Sequence, residues 1–293
     1  MGAPDPHQRT YPRTMRFALD VATAGAWADP STLTELARDA EAAGWDGFFL
    51  WDLFAAEDDT APVVDAWIVL ASIAAATTRL RIGTMVTPLP RRLPWEVARA
   101  AVTLDQLSNG RLVIGAGLGW RTVEFERLGL PAELRQRADR LDEGLELIDR
   151  LWTGETVTVE GEHWSIRDVR LRPVPVQRPR IPIWVAAGWP RQRPLRRAAR
   201  WDGAYLMTDN QETGLRLSPD DARGAIAVLA SHRDDMAGFD VAVNVETLGD
   251  PDGGIAITEA FAQAGVTWTV ELTPETLDEH RALIRRGPPT SRA

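Results

Sequence analysis

Short apolar runs alternate with longer segments of helical spacing along most of the chain. Each run is continuous, as expected for a strand that is buried on both faces of a parallel sheet. The pattern predicts eight such strands, at residues 15–21, 47–51, 80–85, 112–116, 183–187, 203–207, 241–245 and 267–272.

A helix is predicted after each strand. The first begins at Asp29-Pro30, an N-cap followed by a first-turn proline, and ends at Gly44. The clearest spans residues 133–152, where apolar residues keep the helical period. The others are predicted at 67–76, 94–107, 194–200, 219–232, 255–264 and 276–285. Residues 155–172 break this rhythm and predict a small inserted hairpin.

Eight strand–helix units predict an α/β fold, a single (β/α)8 barrel at residues 15–286. Residues 1–14 and 287–293 are predicted to be flexible tails. In such a barrel the carboxyl ends of the strands meet at one mouth, where catalysis takes place. The pattern places there Asp20, Asp52, Met85–Thr87, Gly117–Trp120, Gly188, Thr208, Asp209, Glu246 and Glu271.

The segment DQLSNGRLVIGAGLGW, residues 105–120, combines a helix end, a turn, a buried strand and a glycine-rich loop. Gly115, Gly117 and Gly119 alternate with larger residues, so the backbone can come close to a flat ligand there. The alternative is a tight connection from strand to helix that contacts no ligand.

Composition narrows the classes of function. The net charge of -9 argues against nucleic acid as a partner, because phosphate binding needs a concentrated positive face. The absence of cysteine excludes disulfides, thiolate zinc sites and cysteine nucleophiles. No apolar run approaches 18 residues and no signal pattern begins the chain, so we expect a soluble, cytoplasmic protein with no membrane partner.

The chain resembles the bacterial luciferase-like oxidoreductases, barrel enzymes that use reduced FMN or the deazaflavin coenzyme F420. The resemblance covers nearly all of the predicted barrel and depends on the order and spacing of several segments. They are AEAAGWDGFFLWD at 40–52, RLRIGTMVTPLPRR at 79–92, TLDQLSNGRLVIGAGLGW at 103–120, RLDEGLELIDRLWTGE at 140–155, LRPVPVQRPRIPIWVAAGWP at 171–190 and RRAARWDG at 196–203.

The resemblance implies where a cofactor would bind. The ring would lie across the mouth against a bulge after the third strand, which in the family often holds a non-proline cis peptide; here this is Met85-Val86, next to Thr87. The loop at the ring edge corresponds to Gly117, Leu118 and Gly119, and the cofactor phosphate would lie at Gly188, Trp189, Pro190 and Arg191. The alternative for Arg191, Arg193, Arg196 and Arg197 is a solvated helix face.

One position departs from the family. Relatives commonly have a histidine after the aspartate that ends the second strand, whereas this chain reads Asp52-Leu53. We therefore consider Asp52 as a catalytic group, since burial would favour the neutral form that a general acid needs. The alternative is a hydrogen-bonding residue at the barrel rim. The remaining histidines are expected to be solvated and outside the site: His7, His163, His232 and His280.

Several of the twelve tryptophans fall close to predicted strand ends and are expected to wall an apolar pocket. They are Trp51, Trp120, Trp184 and Trp189. Trp120 is the predicted neighbour of the cofactor ring and the second catalytic candidate, because aromatic walls exclude water from a reduced flavin.

The resemblance thus implies an oxidoreductase, most simply one that uses F420 to move a hydride to or from a small organic substrate, and a homodimer, as is usual for relatives. An FMNH2-dependent monooxygenase of the same family is the first alternative. Because Leu53 stands where relatives have the histidine, another alternative is a barrel without catalytic turnover that binds a cofactor or binds none. The last alternative is a hydrolase or lyase that depends on Mg or Mn and binds the metal through Asp20, Asp52, Glu246 and Glu271.

Overall fold

The computed structural model describes residues 15–55, 60–208, 216–247 and 251–289. Eight parallel strands close into a barrel in the order β1-β10-β9-β8-β7-β4-β3-β2. They are β1 (Arg16–Val21), β2 (Gly47–Leu50), β3 (Arg81–Pro88), β4 (Leu112–Gly117), β7 (Ile183–Trp189), β8 (Gly203–Thr208), β9 (Asp240–Val245) and β10 (Trp268–Leu272). The predicted (β/α)8 barrel is confirmed.

Helices surround the barrel. They are α1 (Pro30–Ala43), α2 (Ala66–Ala76), α3 (Pro94–Leu107), α4 (Thr122–Arg127), α5 (Leu134–Trp152), α6 (Gln192–Ala198), α7 (Pro219–Ser231), α8 (Pro251–Ala264) and α9 (Leu277–Arg286). No helix of the described ranges is both long and apolar enough to cross a membrane.

Local chemistry fixes several helix ends as the sequence predicts. The Asp29 carboxylate accepts from the Thr32 N–H at the start of α1, and Gly44 ends that helix in the left-handed region with φ 92°. Ser218 and Thr276 each form a capping box, at the start of α7 and α9.

The predicted hairpin is also confirmed. Strands β5 (Thr156–Glu160) and β6 (Ser165–Arg170) pair antiparallel, outside the barrel, between α5 and β7. Two predictions need correction. Helix α4 was not expected, and β3 continues to Pro88 beyond the predicted end at Met85. Of the tails predicted at 1–14 and 287–293, residues 1–14 and 290–293 lie outside the described residues.

Alternate residues of each strand face different cores. Outward side chains pack under the helices in a large apolar cluster, in which Leu19, Leu50 and Val243 are fully buried. Inward side chains form a smaller cluster inside the barrel, made of Ala18, Phe49, Met85, Val113, Trp184, Tyr205, Ala242, Trp268 and Val270. Only inward residues near the carboxyl ends of the strands can reach the mouth.

Candidate active site

Aromatic rings fill the barrel interior below the mouth. Phe49, Trp184 and Trp268 come from β2, β7 and β10, and their ring centroids lie 5.2–6.3 Å apart in tilted or edge-on contact. All three are nearly fully buried. These rings form the aromatic floor of the barrel, so a ligand enters from the mouth only. The expectation that Trp184 walls the pocket is wrong, because its side chain belongs to this floor.

The three segments predicted to surround a cofactor lie on neighbouring strands. Met85-Val86 is in β3, Gly117 ends β4 and Gly188 is in β7, and these strands are adjacent in the barrel. The Met85-Val86 peptide is cis, and the pairing of β3 with β4 shifts between Thr84 and Thr87. The predicted bulge and cis bond are therefore present at the predicted position.

The inner surface of these strands is built from small groups. A Cβ on Gly117 would lie 2.5 Å from Val86 Cγ2 and 3.4 Å from Ala186 Cβ, so the Val86 side chain occupies the room that the glycine leaves. A Cβ on Gly188 would meet no atom within 4 Å. The inner surface beside Val86 is thus formed by small side chains, and there is open space at Gly188. This shape fits a planar ligand.

The rest of the glycine loop turns away from the mouth. Leu118 packs partly against the outer core, and Gly119 has φ 84° and lies against Phe125 of α4. Arg137 of α5 donates to the Gly119 carbonyl at 2.8 Å. The Trp120 side chain is 68% exposed, so it is accessible to a ligand but does not form a preformed wall.

The predicted phosphate segment is exposed at the start of α6. The Arg191 N–H donates to the Gly188 carbonyl at 3.0 Å, and the Arg191 side chain is exposed. The Trp189 indole points to the outside, where its N–H donates to Asp221 at 3.0 Å and its ring covers Gly224 of α7. Trp189 therefore does not wall the mouth, contrary to expectation.

Two of the three arginines of α6 make ion pairs with α5, and the third, Arg196, is exposed. Arg197 is buried and binds Asp142 through a fork of 2.5 and 2.8 Å, and Arg193 binds Asp139 at 2.9 Å. The interpretation of this helix face as merely solvated is thus wrong for Arg197, which ties α6 to α5.

Asp52 is held by an ion-pair network. Its carboxylate accepts from Arg91 at 2.9 Å and from Arg92 at 2.7 and 2.9 Å, and from the Thr87 hydroxyl at 2.9 Å and the Trp67 indole at 3.2 Å. The side chain is 1% exposed. Two guanidinium groups stabilise the anion, so these contacts favour the rim hydrogen-bonding residue over the general acid.

The same network joins three loops of the mouth. Arg91 also pairs with Glu124 of α4, and that carboxylate accepts from the N–H groups of Phe54 and Ala55 at 3.2 and 3.4 Å. Residues that follow β2, β3 and β4 are therefore connected through one buried cluster of charges. Sequence reasoning missed Arg91 and Glu124 because arginine and glutamate alone do not indicate burial.

Asp20 is the group that differs most from the sequence expectation, which named it only as one of several rim residues. It faces inward from β1 and is 3% exposed, and its Oδ1 has no hydrogen-bond partner. Burial raises the pKa of Asp20 to about 8, while hydrogen bonds with the side chains of Trp51 and Tyr205 act in the opposite direction. The Tyr205 hydroxyl donates to Asn244 Oδ1 at 2.7 Å.

Tyr205 and Asn244 are also inward-facing and buried, on β8 and β9. Burial raises the pKa of Tyr205 well above its usual value, with the nearby Asp20 as the second cause. Asp20, Tyr205, Asn244 and the half-buried Trp51 thus form a polar cluster above the aromatic floor. No short motif marks this cluster, because its members lie on four separate strand segments.

The predicted histidine positions need one correction. His280 is 1% exposed and its Nδ1 accepts from the Trp27 indole at 2.9 Å, so it is not a solvated residue. Burial lowers the pKa of His280 to about 4. It lies in α9, outside the barrel. His163 is half-buried in the hairpin, His232 is exposed, and His7 lies outside the described residues.

The carboxylates of the metal-dependent alternative do not converge. Asp52 binds two arginines, Glu271 accepts from Thr247 and lies near Arg286, and Glu246 pairs with Arg216. Burial raises the pKa of Glu271. Within the described ranges, no group of three or more His, Cys, Asp or Glu side chains is arranged to hold a metal ion. Asp209 lies outside those ranges.

Known proteins resemble the chain over most of its length. The luciferase-like monooxygenase family matches residues 10–279. The F420-dependent glucose-6-phosphate dehydrogenase of Beutenbergia cavernae is 35% identical over 227 residues, which cover 74% of this chain and 64% of that protein. Across three such dehydrogenases the chain spans between 49% and 64% of the relative's length.

Solved structures share the fold. The F420-dependent tetrahydromethanopterin reductase of Methanopyrus kandleri has a TM-score of 0.76 at 18% identity, covering 93% of this chain and 96% of that one. The oxygenating constituent of 3,6-diketocamphane monooxygenase from Pseudomonas putida, in complex with FMN, has a TM-score of 0.66 at 17% identity, covering 83% and 71%. Both are barrels with the same architecture as this chain.

Proposed function

Because this chain belongs to the luciferase-like monooxygenase family, we propose that it is an oxidoreductase that binds coenzyme F420 and moves a hydride to or from a small organic substrate. One observation carries the proposal. The cis Met85-Val86 segment, Gly117 and Gly188 lie on three adjacent strands at the mouth, and the space at Gly188 is open. The F420-dependent relatives support the choice of cofactor.

The site fits a flat ring with a charged tail. Such a cofactor supplies a two-electron hydride carrier, while the protein orients it and excludes water. The ring would be backed by Met85, Val86 and Thr87 and bordered by the loop of Gly117, Leu118 and Gly119. Its phosphate would lie near Gly188, the Trp189 main chain and Arg191, where a guanidinium is exposed beside the end of β7.

The two predicted catalytic residues take different roles. Asp52 positions the loops around the ligand through its ion pairs with Arg91 and Arg92. Trp120 has an exposed indole beside the glycine loop, and we propose that it stacks on the bound ligand.

An FMN-dependent monooxygenase is the second candidate. It is favoured by the family itself and by the FMN complex of the Pseudomonas putida neighbour, which has the same barrel. The two candidates share the ring site and differ in the reaction that follows.

The test is a titration of the purified protein with F420 and with FMN, each oxidised and reduced, followed by ligand and tryptophan fluorescence. We expect micromolar binding of F420 and binding of FMN at least tenfold weaker. Tighter binding of FMN would establish the second candidate. Failure of both cofactors to bind would overturn the proposed function.

We further propose a cytoplasmic homodimer that has small-molecule rather than nucleic-acid or membrane partners. Exposed apolar side chains near α4 support the dimer: Phe54 is 60% exposed and Leu128 is 37% exposed, and both line one shallow cavity. The acidic net charge and the absence of cysteine fit the proposed partners and compartment.

A further inference from the structure

Asp20 is a buried carboxyl without a cation. Among the described acids of the mouth, Asp52 has two guanidinium groups and Glu271 has the Thr247 N–H and hydroxyl as donors together with nearby Arg286. Within the described part of the chain, no positive group shifts the pKa of Asp20, whose hydrogen bonds are with the Trp51 and Tyr205 side chains and whose Oδ1 has no partner. A buried polar atom without a partner costs free energy. Such an arrangement is therefore expected where the atom meets a ligand.

The position of Asp20 fits that expectation. Asp20 pairs with Leu272 of β10 and Phe49 of β2 in the barrel, so its side chain lies one inward position nearer the mouth than Ala18. Trp51, which hydrogen-bonds with it, follows the end of β2 and is half-buried. The carboxyl therefore lies between the aromatic floor and the open end where the ring would bind.

The surroundings of Asp20 favour its protonated form. Burial of the carboxyl is the largest effect and raises the pKa of Asp20 to about 8, although the hydrogen bonds with Trp51 and Tyr205 lower it. The Tyr205 hydroxyl also donates to Asn244 Oδ1 at 2.7 Å, which fixes the phenol beside the carboxyl. The Asp20 carboxyl is thus uncharged at neutral pH, with Tyr205 and Asn244 holding the cluster in place.

We propose that Asp20 is the catalytic acid of this chain and exchanges a proton with the oxygen of an uncharged carbonyl or alcohol substrate. The inference rests on the proposed function and names the substrate class of that same site. The buried cluster offers one neutral acid, one phenol, one amide and one indole, which recognise an uncharged oxygen. A phosphate group in this cluster would have no positive group to neutralise it.

The reaction balances in the direction of reduction. The carbonyl carbon accepts a hydride, with its two electrons, from the reduced cofactor of the proposed function. The C=O double bond becomes a C–O single bond, and the oxygen takes the proton of the Asp20 carboxyl, leaving an alcohol and the Asp20 carboxylate. Solvent then returns a proton to Asp20. Oxidation of an alcohol runs the same steps in reverse and requires the carboxylate first.

The two directions therefore depend on pH in opposite ways. Since the pKa of Asp20 is about 8, reduction proceeds below pH 8 and declines above it, while oxidation increases above it. Tyr205 is the titratable group that acts on Asp20 from the neighbouring strands, and it stays neutral because its own pKa is raised further. Trp51 and Asn244 do not titrate.

The experiment compares the wild-type protein with Asp20→Asn, Tyr205→Phe and the control Asp46→Asn. Asp46 is exposed at the opposite end of the barrel, where its carboxylate accepts from the Phe17 N–H at 2.9 Å. Oxidation of reduced F420 is measured with cyclohexanone, benzaldehyde and other uncharged carbonyls, and reduction of oxidised F420 is measured with glucose 6-phosphate. Binding of F420 to each variant is measured first.

We expect Asp20→Asn to bind F420 like the wild type, to lose about 100-fold or more in kcat with uncharged carbonyls, and to change KM less than threefold. The decline in kcat above pH 8 should disappear. Tyr205→Phe should keep part of kcat and shift that decline, since Tyr205 is a positioning residue. Asp46→Asn should match the wild type in all of these.

A second readout is independent of turnover. In the cofactor-free protein labelled with carboxyl-¹³C aspartate, the Asp20 signal, assigned by its loss in Asp20→Asn, should titrate near pH 8, and its position should change when F420 binds. The proposal is overturned by unchanged kcat in Asp20→Asn, by titration near pH 4, or by turnover of glucose 6-phosphate without turnover of any uncharged carbonyl. If the wild type binds no cofactor, the proposed function itself fails.

Discussion

Burial of Asp20 at the site should lower the free energy of unfolding of the protein, and this loss can be measured. In the folded state Asp20 keeps its proton to about pH 8, whereas in the unfolded chain it loses the proton near pH 3.9. The folded state therefore binds the extra proton, and stability falls by about 1.4 kcal/mol for each pH unit between those values. Asp20→Asn should remove this loss. Urea unfolding at pH 5, 7 and 8 should show the variant more stable than the wild type, with a difference that grows with pH; a difference that shrinks with pH would contradict it.

His280 should produce the opposite dependence. Its pKa is about 4 in the folded state and about 6.5 when unfolded, so the unfolded chain takes up a proton that the folded chain refuses. The contribution of His280 to the free energy of unfolding is complete above pH 6.5 and falls by about 3 kcal/mol as the pH drops to 4. Equilibrium unfolding of His280→Gln, which keeps a hydrogen-bonding side chain beside Trp27, should show a smaller loss over this range than the wild type. Equal losses in both proteins would contradict the prediction.

For a single residue, the sequence predicts the strand on which it lies but not the side chains that surround it. Asp20 and Asp52 both lie at the mouth as predicted, but the sequence alone favours Asp52 as the acid. The choice between them depends on Arg91 and Arg92, which approach Asp52 and not Asp20, and only the folded chain decides which carboxyl receives a cation. His280 was misassigned for the same reason, since helical spacing does not show that Trp27 covers it.

Whole loops depend on the ion pairs of Asp52. Removing this carboxylate takes from Arg91, only 6% exposed, one of its two anionic partners, takes from Arg92 its nearest carboxylate, and separates the segments that follow β2 and β3. Asp52→Ala should lower the free energy of unfolding by about 3–5 kcal/mol. Chemical denaturation is the measurement, and Glu160→Ala, which breaks the exposed pair with Arg167, is the control with an expected loss under about 1 kcal/mol. Similar losses in the two variants would contradict a buried network.

Strands β4 and β7 each present a glycine to the mouth, and the two should respond differently to a side chain. Gly188→Val places its new Cβ where no atom lies within 4 Å, so we expect a change in stability within about 0.5 kcal/mol and F420 binding weakened at least tenfold. Gly117→Val collides with Val86 and should lower stability by about 1–3 kcal/mol. Thermal unfolding and the cofactor titration measure both. Unweakened binding in Gly188→Val would place the ligand elsewhere.

Elements were the most predictable level of the structure. All eight strands and the inserted hairpin follow from apolar runs and turn residues, because burial on both faces requires those residues. Helix α4 is not predicted, since six residues are too few to show a helical period, and the ion pair of Glu124 with Arg91 attaches it to the barrel instead. The end of β3 was missed because Thr87 and Pro88 do not look like a strand, and pairing with β4 extends it.

The whole molecule was predicted from the number of strand–helix units, since a closed barrel is the arrangement that buries eight parallel strands without an edge. The interior could not be predicted in the same way. Inward and outward residues of these strands are both apolar, so the sequence did not distinguish Trp184, which lies inside, from Trp189, which points outside.

The formation of a dimer is a property of the whole molecule. If the exposed apolar residues near α4 form the proposed dimer contact, Phe54→Asp should shift sedimentation from dimer to monomer at micromolar concentration. Ile68 is 73% exposed on α2 and provides the matched control Ile68→Asp. A wild-type monomer, or a dimer that survives Phe54→Asp, would contradict the proposed contact.

The aromatic floor sets the order of events at the site. Phe49, Trp184 and Trp268 close the interior of the described barrel below the site, so a molecule that reaches the site arrives and departs by the mouth. The cofactor ring then blocks the exit of whatever lies beneath it beside Asp20. Departure must follow the reverse of arrival, so spent cofactor leaves before product, and excess cofactor should slow turnover by trapping that product in place.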